Sequence, residues 1–212
     1  MTHSVATLRA LVGIDQMQPQ YAAYWGLTGR GGLALAGMSQ LLVEVEPGNL
    51  VFPLMDAALK AADVQSAGQI VERDFGLMEL HARGPAAIDA AREAVLAQLG
   101  DASDGPPLRI VSSQRLVNVT PYHSQLFNKV RRGEWTLPGD SLFIAEVTPA
   151  AHVYRIGNEL EKTLAVHLVR MAGTGLFGRL VVGGNESDIA SAESLVPRLV
   201  TDAAAAPTRQ GG

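Results

Sequence analysis

Few residues of this chain are of types and at spacings that support chemistry. Glu72, Arg73 and Asp74 form a compact run of charge. One copy of such a run is a solvated turn. Several copies brought to a common centre would instead govern what passes there. Gly173-Thr-Gly175-Leu-Phe-Gly178 matches the G-x-G-x-x-G pattern, which binds a dinucleotide only where it follows a strand and opens a helix. Here Arg179-Leu-Val-Val-Gly183 comes next and reads as a strand, so the nucleotide reading is rejected and a glycine loop with wide backbone freedom replaces it. The histidines His3, His81, His123, His152 and His167 show no i, i+4 or H-x-H pairing, and metal ligation is not expected. No nucleophile–base ordering and no frame of paired carboxylates stands out. Neither an enzymatic activity nor a cofactor is expected.

Composition excludes more. There are no cysteines among the 212 residues, which removes disulfides, thiolate metal sites and cysteine nucleophiles. The net charge is −4, without a basic cluster, so no nucleic-acid footprint is present. Residues 1 to 13 lack the pattern of a secretory signal, and no run approaches the ~20 apolar residues of a membrane span. A soluble cytoplasmic protein that binds no nucleic acid and no membrane is expected.

The elements that must position these residues are written twice. Arg30-Gly31 recurs as Arg132-Gly133, Leu35, Gly37 and Ser39 as Leu137, Gly139 and Ser141, and Glu44-Val45 and Pro47 as Glu146-Val147 and Pro149. Val51, Lys60 and Val64 return as Val153, Lys162 and Val166, and Phe75-Gly76 as Phe177-Gly178. Each interval is 102 residues (132 − 30, 162 − 60, 178 − 76), giving thirteen ungapped identities between positions 30 and 76. Average composition yields roughly three by chance. The chain is therefore a duplicated domain, divided as residues 1–104 and 105–203 with a flexible tail over 204–212.

Within the first unit, Leu8 to Ile14 and Gln40 to Glu46 read as strands, and Gln18 to Gly26 as a short helix with Pro19 in its first turn. Asn49 is placed to cap a helix carrying Leu54, Ala58, Leu59 and Ala62 on one face. Gln69 to Arg73 and Leu77 to Ala82 read as strands joined at a bend around Gly76. Pro85 opens a helix ending at Gly100, with Ile88, Ala91, Val95 and Leu99 as its apolar face. Asp101 to Pro107 reads as a linker, after which the order repeats with strands at Leu108 to Leu116 and Leu142 to Val147. Helices are expected from Thr120, from Pro149 and over Glu186 to Val200, with strands on both sides of Phe177-Gly178 and a fraying end from Asp202. Each unit is an α+β fold with an antiparallel sheet and flanking helices. Trp25 and Trp135 are expected to anchor packing or an interface.

Asp56-Ala-Ala-Leu-Lys60-Ala-Ala-Asp-Val64 resembles the helix-end signature of bacterial microcompartment shell proteins. Two such domains, each preceded by an extra strand and short helix, resemble the tandem, circularly permuted, trimer-forming branch of that family. Asp15-Gln-Met-Gln-Pro-Gln20 and Ile70-Val-Glu72-Arg73 are especially similar to its members with a gated pore. The resemblance implies a homotrimeric, pseudo-hexameric tile, able to stack as a dimer of trimers, in a microcompartment shell with other shell proteins. It implies that small metabolites cross a pore lined by Glu72, Arg73, Asp74, Gly173, Thr174 and Gly175, and that Lys60 and Lys162 lie at the tile edge. The second unit differs at two places: Asn158-Glu-Leu-Glu-Lys162 carries glutamates, and Thr174-Gly175 aligns with Glu72-Arg73. The alternative from a different class is a duplicated α+β module that binds a small metabolite as a sensor or enzyme subunit.

Overall fold

The computed structural model describes residues 6–205. In the first half, β1 (Thr7–Ile14) leads to α1 (Pro19–Thr28), β2 (Ser39–Glu46), a 3-10 turn (Gly48–Leu50) and α2 (Val51–Ala61). β3 (Gln65–Glu72), β4 (Phe75–Ala82) and α3 (Pro85–Leu99) complete the unit, followed by a two-residue strand, β5 (Ser103–Asp104). The second half runs β6 (Arg109–Leu116), α4 (Pro121–Val130), β7 (Ser141–Thr148), α5 (His152–Thr163), β8 (His167–Ala172), β9 (Gly178–Gly184) and α6 (Glu186–Ala205).

The 102-residue interval holds in three dimensions. β6, α4 and β7 begin 102 residues after β1, α1 and β2 (109 − 7, 121 − 19, 141 − 39). Both first strands shift register at equivalent places, Leu8/Ala10 and Ile110/Ser112. The first sheet has the order β3-β4-β2-β1-β5 and the second β8-β9-β7-β6, the same order without the last strand. All pairs are antiparallel except β5, which pairs parallel with β1.

β5 corrects the reading of Asp101 to Pro107 as a plain linker, since Thr7 pairs with Ser103 and Leu8 with Asp104. The amide of Gly105 then donates to the Leu8 carbonyl at 2.7 Å, and a side chain at Gly105 would collide with the Arg9 backbone. A segment of polar and turn residues is thus held by backbone bonds to which its side chains give no clue.

α3 is as the periodicity predicts: Ile88, Ala91, Val95 and Leu99 are its buried residues, packed with Leu41, Val43, Met78 and Leu80 from one face of the first sheet. α2 differs. It buries Val51, Leu54, Met55 and Ala58, while Leu59 is 49 % exposed. One residue beyond Ala58 is a turn of about 100° round the helix, which carries Leu59 off the core face. Asn49 lies inside the 3-10 turn and caps nothing, because Leu50, already helical, leads directly into α2. The helix expected from Pro149 begins at His152 after one turn, and α6 extends past Val200 to Ala205. Residues 206–212, most of the expected tail, and His3 fall outside the described residues.

One of the buried cores spans both halves. Val12, Tyr21, Tyr24, Trp25 and Leu42 of the first half form a continuous buried cluster with Phe143, Tyr154, Leu160 and Met171 of the second. Trp25 is 4 % exposed and its ring centroid lies 4.8 Å from that of Tyr154. Trp135 is 57 % exposed and lies under the Arg131 guanidinium, 3.7 Å from its ring centre.

Candidate functional site: paired loops and an inter-half seam

Glu72 ends β3 and pairs with Phe75 at the start of β4, so Arg73 and Asp74 form a two-residue connection. Arg73 holds φ at +53°, a left-handed conformation uncommon for residues other than glycine. All three charged residues are exposed. The glycine loop of the second half comes to them: a side chain on Gly175 would start 3.4 Å from Glu72 Oε1, and Gly175 takes φ +90°. Thr174 and Gly175 share a crevice with Phe75 and Gly76. Five of the six residues expected at a pore are thereby grouped in two adjoining loops. Gly173 has a different task. Its amide donates to the Tyr154 hydroxyl at 3.3 Å, and a side chain there would strike the Tyr154 ring. No helix follows the loop, since β9 starts at Gly178.

The expected edge lysines stand in the last turns of α2 and α5. Lys60 is 74 % exposed and reaches Asp56 Oδ2 at 2.6 Å. Lys162 is 60 % exposed with Glu159 Oε2 at 3.9 Å. Glu161 is turned away from Lys162. Its two oxygens accept from the amides of Gln20 and Tyr21, both at 2.8 Å, at the first turn of α1. These N–H groups have no intrahelical acceptor, and α1 has no side-chain cap of its own, so a carboxylate from the other half supplies the missing partner.

That contact belongs to a seam which the residue types did not announce. Asn158 Oδ1 accepts from the Gln18 amide at 2.8 Å, and Gln20 bridges to the backbone of Val166 and Leu168. The Tyr24 hydroxyl donates to the Met171 carbonyl and accepts from its amide. Nearby, Arg9 Nε donates to Glu44 Oε1 at 2.7 Å, while Glu44 Oε2 accepts from the Ala151 amide at 2.8 Å. Burial pushes the Glu44 carboxyl above the usual range, against the pull of Arg9 and of the Ala151 and Ala150 amides. Its repeat partner Glu146 is shifted the other way, because Arg179 and then Ser112 stabilise its ionised form. The repeat marks Glu44 and Glu146 as identical; it gives no sign that Glu44 reaches across the halves.

α4 is the repeat equivalent of α1, but it packs only on its own half, through Phe127 and the buried Ser124, and its outer side is uncovered. Tyr24 and Trp25 are buried in the second half, whereas Leu126, 102 positions after Tyr24, is 42 % exposed. Tyr122 and Val130 beside it are 70 % and 51 % exposed. The surface equivalent to the one that receives α1 is also uncovered, on α2 and β3, with Phe52, Leu59, Ile70 and Val71 between 40 % and 50 % exposed. A groove of about 800 Å³ runs there, lined by Met55, Leu59, Ile70 and Val71 among others. Among the described residues no group of three His, Asp or Glu is arranged to hold a metal ion, and no helix is long and apolar enough to cross a membrane.

Residues 8–104 match the family model described as the CsoS1D N-terminal domain. The chain is 40 % identical over 183 residues to the carboxysome shell protein CcmP of Synechococcus elongatus, covering 86 % of each chain. It is 38 % identical over 187 residues to the carboxysome shell protein CsoS1D of Hydrogenovibrio crunogenus, covering 87 % of this chain and 91 % of that one. Among solved structures, the fused permuted hexameric shell protein MSM0275 from the RMM microcompartment aligns with a TM-score of 0.88 at 33 % identity, over 95 % of this chain and all of that one. The double ringed trimeric shell protein MSM0271 from the same microcompartment aligns with a TM-score of 0.86 at 29 % identity, over 92 % and 96 %. A duplicated fold, an order of elements common to permuted shell proteins and relatives whose role is structural rather than enzymatic lead to one conclusion: the chain belongs to the tandem-domain shell proteins of bacterial microcompartments.

Proposed function

We propose that three copies close head to tail into a pseudo-hexameric tile of the shell, with a gated pore at its centre. One observation carries this reading. Within a chain, α1 of the first half seats on α5 and β8 of the second. The equivalent helix α4 and the equivalent groove on α2 and β3 are each bare and apolar. Repeating the internal contact between chains seats α4 of one copy in the groove of the next, with Tyr122, Leu126 and Val130 against Phe52 and Leu59. Such a contact is heterologous, so it ends only by closing a ring. The trimeric state of MSM0271 and the hexameric description of MSM0275 support closure at six domains. Mass measurement in solution should give three chains, or six where two rings stack. Leu126→Glu, which places a charge against an apolar wall, should yield a folded monomer. A stable monomer or dimer as the sole form of the parent would overturn the ring.

In that ring the Glu72–Asp74 turn and the Gly173–Gly175 loop of each chain meet at the axis, and Lys60 and Lys162 lie at the rim. Three arginines facing one centre repel, as do three glutamates, so a closed pore interleaves them. A partly solvated ion pair is worth about 0–1 kcal/mol, and three hold a gate by about 0–3 kcal/mol, within reach of a ligand that binds one state better. Arg73, when exposed, would draw anionic metabolites. Arg73→Ala should give a structure with the pore open. A structure with residues 72–74 at the outer perimeter would remove the gate altogether. Apolar Leu33 and Leu35 recur as Trp135 and Leu137, all four between 49 % and 60 % exposed, and offer a face on which a second ring can stack.

A further inference from the structure

The halves differ most sharply where the last helix of each begins. α6 is capped by its own residues: Asn185 Oδ1 accepts from the Asp188 amide at 2.9 Å, and Glu186 and Asp188 lie in the first turn. At the equivalent place α3 has Gly84 as its N-cap, no capping side chain, Pro85 in the first turn and no acidic residue. The amides of Ala86 and Ala87 are left without intrahelical acceptors, at the positive end of a 15-residue helix. Asn185 is replaced there by Arg83 (185 − 102 = 83), so the local charge is reversed as well.

This helix start lines a cavity of about 540 Å³, together with Arg83, Gln65, Asp63, Leu33 and His81. His81 is 1 % exposed. Its Nδ1 lies 3.0 Å from Glu79 Oε1, and Glu79 is itself fixed by Gln40 Nε2 and the Ala67 amide. The opposite ring nitrogen, Nε2, is buried on the side of Gln65 and Gly32 and has no partner. A buried polar atom without a partner is unfavourable by about 1–3 kcal/mol, and this one stands at the wall of a cavity shared with Arg83 and the start of α3, where a ligand can supply the partner. The second half has no counterpart: Gly183 replaces His81, and the space over it is filled by His167, which lies 3.4 Å from Asp140.

We propose that this first-half cavity binds a small oxyanion, a carboxylate or a phosphate, through the free amides at the start of α3, Arg83 and His81, whose Nε2–H is the second donor of an imidazolium that gives its Nδ1–H to Glu79. The groups are complementary in kind: two backbone donors at a helix N-terminus, a guanidinium, and a ring whose Nδ1 is oriented by Glu79 so that Nε2 faces the site. Asp63 opposes the anion at the same wall. The proposal does not rest on ring closure or on the pore, because every group belongs to one half of one chain.

Calorimetric titration of the full chain with inorganic phosphate, and separately with acetate, tests it, with the ring state read by mass in the same buffer. At least one anion should bind with a stoichiometry of one per chain, not two. Arg83→Gln, a change at the surface, should weaken binding about tenfold through loss of a charge-assisted contact. Asp63→Asn should tighten it about twofold. In the parent, the anion should shift the side-chain nitrogen resonance of His81 Nε2 towards the protonated form, a readout that does not depend on a His81 variant folding. Binding by both anions, or by one alone, with these dependences upholds the site. No binding at millimolar anion, two sites per chain, or binding indifferent to Arg83→Gln and silent at His81 overturns it, whatever the mass shows.

Discussion

The two halves share a fold and differ in what their surfaces meet. The first half presents α1 to a partner within the same chain, and that seam is polar and specific: Glu161 and Asn158 take the first amides of α1, and Tyr24 is bound at its hydroxyl by Met171. The second half presents α4 outward, and the facing surface carries Leu59 where the other seam has Glu161 (161 − 59 = 102), with Asp56 as the counterpart of Asn158 (158 − 56 = 102). A contact made once during folding can rely on buried carboxylates and exact hydrogen bonds. A contact between chains in the proposed ring relies instead on apolar area, which tolerates approach from solution. Duplication supplied both surfaces from one ancestor-like unit, and their chemistry diverged with the kind of partner.

Glu44 and Glu146 give the largest test of that contrast. Glu44 is 1 % exposed, paired with Arg9 at 6 % exposure and bonded to the Ala151 amide of the other half. Glu44→Ala strands the Arg9 charge in the interior, with Glu46 at 3.8 Å as its remaining carboxylate, and should lower unfolding stability by about 3 kcal/mol in a urea titration. Glu146 pairs with Arg179, which is 54 % exposed, so Glu146→Ala should change the same measurement by about 0–1 kcal/mol. Equal losses would mean that the intrachain seam is no more demanding than the free surface.

A smaller effect separates the halves by pH. His152 enters α5 where the first half has Leu50 (152 − 102 = 50), and burial, with Arg155 nearby, lowers its pKa to about 4. The native chain keeps this ring neutral while the unfolded chain protonates it near 6.5, so the unfolded state binds more protons in between. Stability should therefore be fully present above about pH 6.5 and decline as the pH falls to about 4. His152→Leu, which copies the first half, should flatten that part of the profile in thermal melts across the range. A variant with the parent's slope would assign the slope to other groups.

How much was legible in the sequence follows from the range of the interactions. The buried face of α3 and the order of elements rest on local periodicity and on the repeat, and both are visible in a string of letters. A helix wheel places Leu59 with the core because it counts apolar residues, and the groove that Leu59 faces is not visible to it. β5 was missed because Ser103 and Asp104 are held by backbone bonds to β1, nearly a hundred residues away. The loop residues Glu72 and Gly175 could be named in advance, but their proximity arises from the packing of one half on the other. Gly173 is required by the Tyr154 ring, a contact that no local pattern announces. The seam of Glu44, Glu161 and Asn158 was the least legible. Residue identity at the 102 interval shows what the halves share, while the seam depends on which residues reach across, Glu44 being shared with the second half and Glu161 and Asn158 not.

The edge lysines should show the smallest effect on the fold and the finest contrast between the halves. Both end their helices, where a cation meets the negative end of the helix dipole, and both are more than half exposed. Lys60→Ala loses one solvated pair with Asp56, so unfolding should change by about 0–1 kcal/mol, and the ring should persist. Around Lys60 lie Ala57, Ala61 and Ala62, which leave a low surface that, in the proposed tile, lets a neighbour approach and accept from the ammonium. Lys162 has Glu159 in place of Ala57, so part of its donor capacity is already taken within its own helix. Lys60→Ala should accordingly raise the protein concentration needed to form sheets, seen by electron microscopy, by more than Lys162→Ala does. Sheets that form as readily from Lys60→Ala as from the parent would remove that residue from the rim. A larger effect at Lys162 would reverse the contrast and place the stronger lateral contact on the half that carries the glutamates.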